Sequence, residues 1–241
     1  MKPLIVHPIA TRIFEPRQSL VDFVVQSVPK DRVHEDMILA VTSKIVSLAE
    51  GRLVPRDSIN KKELVQREAD IYMGEIGHGC FLTVKSGLLI PSSGIDESNS
   101  ASGDYILYPR DPFASAFRIW SDLRRAWNLK NLGVLLTDSH TTPLRRGVTG
   151  VCLSYAGFQA VCNLVGTTDL FGRPLRMTQM NFADGLAVAA VLMMGEGAEC
   201  QPLAVIENAQ VQFSESTNPQ ELSIPFEEDL YFPLLDAFRK K

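Results

Sequence analysis

Six short apolar runs set the strongest limit on what this chain can fold into. They are LIV (4–6), MILAV (37–41), CFLTV (80–84), LGVLLT (132–137), GVCLSYAG (150–157) and PLAVIE (202–207). Each is rich in Val, Ile or Leu and bounded by polar, glycine or proline residues, which reads as a strand. Amphipathic segments alternate with them. Asp111-Pro112 predicts a helix start, an N-cap followed by proline at the first helical position. Phe113, Phe117, Trp120, Leu123 and Trp127 follow at helical spacing, and this aromatic stripe reads as core packing. Residues 179–194 predict a second helix, stopped by Gly195. The mixture predicts an α/β or α+β fold with mixed sheets. At 241 residues, one domain or two intertwined subdomains are both open. No internal repeat or long linker divides 1–241, and the polar, then apolar, segment 208–241 is expected to wrap onto the body.

Charge and cysteine usage remove several classes. A net charge of −4 with no long basic run argues against a nucleic-acid partner. It also requires that an anionic ligand be met locally, by a metal ion or by placed Lys and Arg side chains. Cys80, Cys152, Cys162 and Cys200 are scattered without a CxxC pair, so a zinc cage or disulfide framework is not expected. They read as mostly buried thiols of a cytosolic protein. The first residues lack the apolar stretch of a signal peptide, and no run reaches the roughly 18 apolar residues of a membrane span. A cytoplasmic protein with no membrane contact is the expectation. No GxxxxGK[ST] loop, GxSxG elbow or HExxH pair occurs, and GEGAEC (195–200) follows a helix rather than a strand, so standard P-loop and Rossmann readings fail.

Three polar clusters remain. In VTSKIVSLAEGR (41–52) a strand runs into Ser43, Lys44, Ser47, Glu50 and Arg52, a set suited to phosphates. In GLLIPSSGIDESNS (87–100) an apolar run breaks into oxygen ligands that suit Mg²⁺ or Mn²⁺. In LLTDSHTTPLRRG (135–147) Asp138 ends an apolar strand, where open α/β sheets place ligands. Each alone has a plain structural explanation: a solvated strand end, a Gly-Ser-Asp turn, a polar strand terminus. Together they supply two carboxylate-bearing loops, a Ser/Lys strand end and an arginine pair. That is the inventory for phosphoryl transfer without a P-loop, in which carboxylates fix divalent cations and Lys or Arg meets transition-state charge.

Taken in order, SKIVSLAEGR, GLLIPSSGIDESN, LLTDSHTTPLRRGVTG, GTTDLFGRPL, ADGLAVAAVLMMGEG and PLAVI resemble the coenzyme F-420-0:L-glutamate γ-ligase family, from about residue 4 to about residue 207. The resemblance implies an α/β fold peculiar to that family and a homodimer. It also implies GTP-dependent amide synthesis (ATP is the alternative) with Mg²⁺ or Mn²⁺, helped by K⁺. The γ-phosphoryl group would pass to an acceptor carboxylate, and the amine of L-glutamate would attack the acyl phosphate. Carried over by position, Asp96 and Asp138 would be catalytic metal ligands, with Ser139 and Glu196 as further metal contacts. Pro8, Ile9, Ala10 and Thr11 would lie against the nucleotide with Ser43, Lys44, Asn99, Gly195 and Glu196. Arg145 matches the family's catalytic arginine better than Arg146 does.

The departures fall in two stretches. The family's Phe-Gly-Arg becomes His140-Thr141-Thr142, its Trp becomes Leu144, and the usual lysine becomes Leu48, leaving Lys44 to supply that charge. The TDSxTTPLRRGVTG form resembles a bacterial branch assigned to folate metabolism, so a coenzyme F-420 precursor and a folate both stand as acceptors. His140 reads either as a ligand or acceptor contact or as a hydrogen-bonded structural residue. A non-catalytic nucleotide- or metabolite-binding protein on the same fold is the competing class.

Overall fold

The computed structural model describes residues 2–239. In chain order the first half contains β1 (Ile5–Ile9), α1 (Leu20–Ser27), β2 (Met37–Thr42), α2 (Ser43–Ala49), β3 (Leu53–Val54) and α3 (Lys61–Glu68). An antiparallel meander follows, β4 (Ile71–Glu75), β5 (Phe81–Lys85) and β6 (Leu88–Pro91), and then β7 (Tyr105–Ile106) and α4 (Pro112–Trp127). The second half holds β8 (Leu132–Thr141), β9 (Val148–Ala156), β10 (Val161–Asn163), β11 (Gln179–Asn181), α5 (Phe182–Met194), β12 (Leu203–Glu207) and α6 (Phe232–Arg239).

Five of the apolar runs form one sheet in the order β1-β12-β2-β8-β9, in which β2 and β8 are parallel and the other pairs antiparallel. The continuous apolar character of MILAV and LGVLLT has a simple cause, because both faces of the sheet are covered. Side chains alternate along a strand. Met37, Leu39 and Val41 therefore pack with α1, α2 and α4, while Ile38 and Ala40 pack with α5. Contact with α5 is so close that a Cβ on Gly150 would collide with the Ala187 carbonyl oxygen. The sixth run, CFLTV, lies in the separate meander.

Several expectations need correction. The second helix begins at Phe182, not at 179. Asn181 is its N-cap, accepting a hydrogen bond from the Asp184 amide, and Gln179–Asn181 pair with β10 instead. The stripe on α4 is only partly core: Trp120 and Leu123 are buried, whereas Phe117 is exposed and Ala116 and Ile119 complete the inner face. Among the cysteines only Cys152 is buried: Cys80 and Cys200 sit on connections, and Cys162 lies in the two-stranded β10–β11 ribbon, where it is half-buried. Four α-helices among the described residues, α1, α2, α3 and α6, had no sequence expectation. One of them, α2, starts directly after β2, turning the polar run at Ser43 and Lys44 into a helix N-terminus.

The segment after β12 is fastened to the sheet. Phe213 bridges Phe158, Gln159 N donates to Gln212 O at 2.9 Å, and Ser214 N donates to Gly157 O at 2.9 Å. Farther on, Glu221 accepts the Tyr155 hydroxyl at 2.5 Å and the Ala160 and Val161 amides at 3.1 Å each. No described helix is long and apolar enough to cross a membrane.

Candidate functional site

Thr42 and Thr137 are the last partners of the parallel pair β2–β8. The cavity opens beyond them, at the carboxyl ends of the strands. Strand β8 does not stop there, as the sequence suggested. A register shift between Leu136 and Thr137 lets it run on to Thr141 beside β9 alone, so Asp138 lies inside the strand, past the end of its parallel partner. The loop 94–100 after β6 and the loop 195–202 after α5 close the other sides. Together they enclose about 860 Å³, lined among others by Lys44, Asp96, Asp138 and Glu196.

Each polar group is positioned by local structure. Asp96 is pinned by two backbone hydrogen bonds with Ile106, both 2.9 Å. Its Oδ1 accepts the Ser98 amide at 2.7 Å and the Ser98 hydroxyl at 2.8 Å, while Oδ2 meets Lys44 Nζ at 2.6 Å. Lys44 reaches it from the first turn of α2. Burial alone would raise the Asp96 carboxyl, but Lys44 and Ser98 outweigh it and hold the group below the usual carboxylate range.

Asp138 is different. Burial pushes its carboxyl up to about 6, the charges of Asp96 and Glu196 push the same way, and the Tyr108 hydroxyl and the Ser139 backbone oppose them. Tyr108 donates to Asp138 Oδ2 in a short hydrogen bond. Burial first, then the charge of Asp138, raises the phenol well above its ordinary value, so Tyr108 stays a donor. Glu196 is also raised, by burial and by Asp96 and Glu199, against a hydrogen bond from Ser139 and the charge of Lys44.

Three carboxylates thus sense one another around a single ammonium. Among the described residues no three His, Cys, Asp or Glu side chains are arranged as they stand to hold a metal ion. The donor set nonetheless fits a hard divalent cation, being all oxygen and acidic in excess. The Thr137 hydroxyl, buried on the cavity wall, has no hydrogen-bond partner among the described residues. A bound ion or phosphate would satisfy such a group.

Other sequence candidates are distributed as follows. Ser139, Asn99 and Gly195 line the same cavity, as do His140 and Thr141 from the rewritten segment. Ser43 is buried at the start of α2 and is absent from the lining. Pro8 and Ile9 are in the β1–β12 ladder, and Thr11 N donates to Cys200 O at 3.0 Å; none of Pro8 to Thr11 lines the cavity, although Arg12 and Phe14 do. Arg145 and Arg146 sit on the exposed turn between β8 and β9, outside the lining. Ser92 and Ser93, counted as possible oxygen ligands, serve the fold. Ser92 Oγ accepts the Phe81 amide, and Ser93 Oγ donates to Val65 O at 3.2 Å. Tyr108 was missed, and nothing in DYILYPR distinguishes it from a core tyrosine.

A sequence model of a protein family described as F420-0:Gamma-glutamyl ligase matches residues 8–208. The chain is 33% identical over 221 residues to the coenzyme F420:L-glutamate ligase of Methanococcus maripaludis strain C6, covering 85% of this chain and 88% of that protein. It is 31% identical to the protein of that name from Methanocaldococcus jannaschii, covering 83% and 86%. With the Methanopyrus kandleri protein of that name it shares 29% identity over 87% and 88%.

Proposed function

The chain belongs to the F420-0:gamma-glutamyl ligase family, and from that premise we propose that it is a nucleotide-dependent ligase joining L-glutamate to the terminal carboxylate of a small-molecule acceptor. The observation that carries the reading is the cluster of Asp96, Asp138 and Glu196 around Lys44 in one cavity of about 860 Å³. Asp96, Asp138 and Glu196 crowd about Lys44, and Lys61 on the same lining is already paired with Glu97, so a triphosphate is repelled unless a cation is present. Asp96, Asp138 and Glu196, with the Ser139 oxygen, would hold Mg²⁺ or Mn²⁺. The ion when bound would neutralise phosphate oxygens and the charge that develops on them.

GTP is the proposed co-substrate, with ATP as the alternative, and K⁺ a helper. An acceptor carboxylate oxygen attacks the γ-phosphorus, the new O–P bond forms, and the nucleoside diphosphate leaves. The glutamate amine then attacks the acyl carbon, expelling phosphate and losing a proton. Lys44, paired with Asp96 here, would be available to the phosphates if Asp96 were engaged with a cation. Arg145, exposed beside the cavity rim and without an ion pair among the described residues, is assigned to the acceptor's carboxylate, which a guanidinium grips bidentately. His140 and Thr141 on the lining make this stretch the place where acceptor choice is read. A homodimer is supported by the apolar residues that α5 leaves exposed, Val188 and Leu192, and by exposed Leu170 and Phe171.

The test incubates the protein with labelled glutamate, GTP or ATP, Mn²⁺ and either a deazaflavin F-420 precursor or a reduced folate. The expected product is one acceptor heavier by one glutamyl unit, with matching nucleoside diphosphate. Nucleotide binding without acceptor-dependent release would overturn the reading in favour of a binding protein.

A further inference from the structure

The tyrosine behind Asp138 is built into the molecule more firmly than hydrophobic packing requires. Tyr108 is only 3% exposed, yet its hydroxyl is spent on the Asp138 carboxylate rather than on backbone or solvent. Its ring lies against Gly94, where a Cβ would collide with the ring carbon bearing the hydroxyl. That glycine also has a positive φ of 66° and ends the turn that carries Asp96 two residues later. On the other side, Arg52 Nε donates to the Tyr108 carbonyl at 3.0 Å, and Arg52 is itself held by Glu68 at 2.7 Å. Both sides of Tyr108 are therefore fixed: Glu68 and Arg52 hold its backbone, and Gly94 shapes the slot for its ring. Its hydroxyl is left to meet Asp138, which lines the cavity.

We propose that Tyr108 is a positioning residue that orients the Asp138 carboxylate for a divalent cation, and that Gly94 is present to admit its ring. Partners that orient a metal-binding carboxylate typically change metal affinity about 10- to 100-fold when removed. The proposal rests on the metal-site reading of Asp138 and deepens it, because it names the group that sets the geometry of that ligand. The phenol reaches the metal site only through Asp138.

The test uses Mn²⁺ as the probe, with affinity read by electron paramagnetic resonance in the absence of nucleotide. Parent protein, Tyr108→Phe, Asp138→Asn and the double variant are compared, each with a thermal melt to verify folding. Tyr108→Phe is expected to bind Mn²⁺ about 10- to 100-fold more weakly, and to change the Mn²⁺ line shape at saturation. The double variant should be no worse than Asp138→Asn alone, since Tyr108 acts through that carboxylate. If Tyr108→Phe stays within about twofold of the parent while Asp138→Asn loses the ion, the tyrosine proposal falls and the metal reading stands. An equal loss from Tyr108→Phe in the Asp138→Asn background would also overturn it. If neither variant affects Mn²⁺, the metal reading fails and takes the proposal with it. Should Tyr108→Phe not fold, 3-fluorotyrosine labelling of the parent protein replaces it. The Tyr108 fluorine line should move with stoichiometric Mg²⁺, and a line that stays in place overturns the proposal.

Discussion

Replacing Asp138 by asparagine should stabilise the metal-free protein at neutral pH while removing its response to metal. In the folded chain burial, together with the charges of Asp96 and Glu196, lifts the Asp138 carboxyl from the usual 3.8 to about 6. A rise of that size corresponds to about 3 kcal/mol. The sign follows from which state holds the proton. Between pH 4 and 6 the native state binds it more tightly than the unfolded chain does. Stability from this group therefore falls as pH rises through that window, and the full penalty stands above it. In the Asp138→Asn variant the new amide oxygen would accept the Tyr108 hydroxyl without ionising. Because Asp138 is partly open to the cavity, screening lowers the gain below the full figure, to about 1–3 kcal/mol. In a chain of this size that moves the melting temperature by roughly 2–10 °C. Thermal melts in chelator-treated buffer at pH 4 and pH 7.5, each repeated with Mn²⁺, read it out. The variant should melt higher than the parent at pH 7.5, match it near pH 4, and gain nothing from Mn²⁺, whereas the parent gains. A variant less stable at pH 7.5, or a difference that persists unchanged at pH 4, would refute the reasoning.

Three further outcomes follow from particular contacts. Gly94→Ala drives a methyl into the Tyr108 ring at a positive φ, so chemical denaturation should show a loss of about 2 kcal/mol or more. Glu221→Ala leaves the Ala160 and Val161 amides without their acceptor and leaves the Tyr155 hydroxyl with only the Asn218 carbonyl; a loss of about 2–3 kcal/mol is expected in the same assay, and protease should then cut first in the segment after β12. Arg145→Ala, on an exposed turn, should leave the melting temperature within about 1–2 °C yet raise the KM for the acceptor at least tenfold while the nucleotide Kd stays put. A raised nucleotide Kd instead would move Arg145 from the acceptor to the phosphates.

The parts of this fold legible in the sequence were those fixed by local pattern. MILAV and LGVLLT had to be covered on both faces, and Asp111-Pro112 marked the start of α4 because the cap and the proline act within one turn. The start of α5 was hidden, since QMN carries no helix-breaking residue and its strand pairing depends on β10, far along the chain. The helix α2 was hidden because Thr42-Ser43-Lys44 reads equally well as a polar strand end. At the site, Asp96 and Asp138 stood out as carboxylates beside apolar runs, whereas Glu196 came only with the family resemblance. Tyr108 did not stand out, because its part depends on an aspartate thirty residues away along the chain. The serines of PSSGID misled for the opposite reason: their hydroxyls are drawn into the meander and the α3 backbone, which no spacing rule foretells.

The central claim is that this cavity activates a carboxylate by phosphoryl transfer before glutamate attacks. It is tested most directly with an acceptor whose terminal carboxylate carries ¹⁸O on both oxygens, turned over with glutamate, nucleotide and Mn²⁺. The oxygen that attacks the γ-phosphorus leaves with it, so each phosphate released should carry one ¹⁸O and each product amide should keep the other. Phosphate released with turnover but free of ¹⁸O would contradict the account.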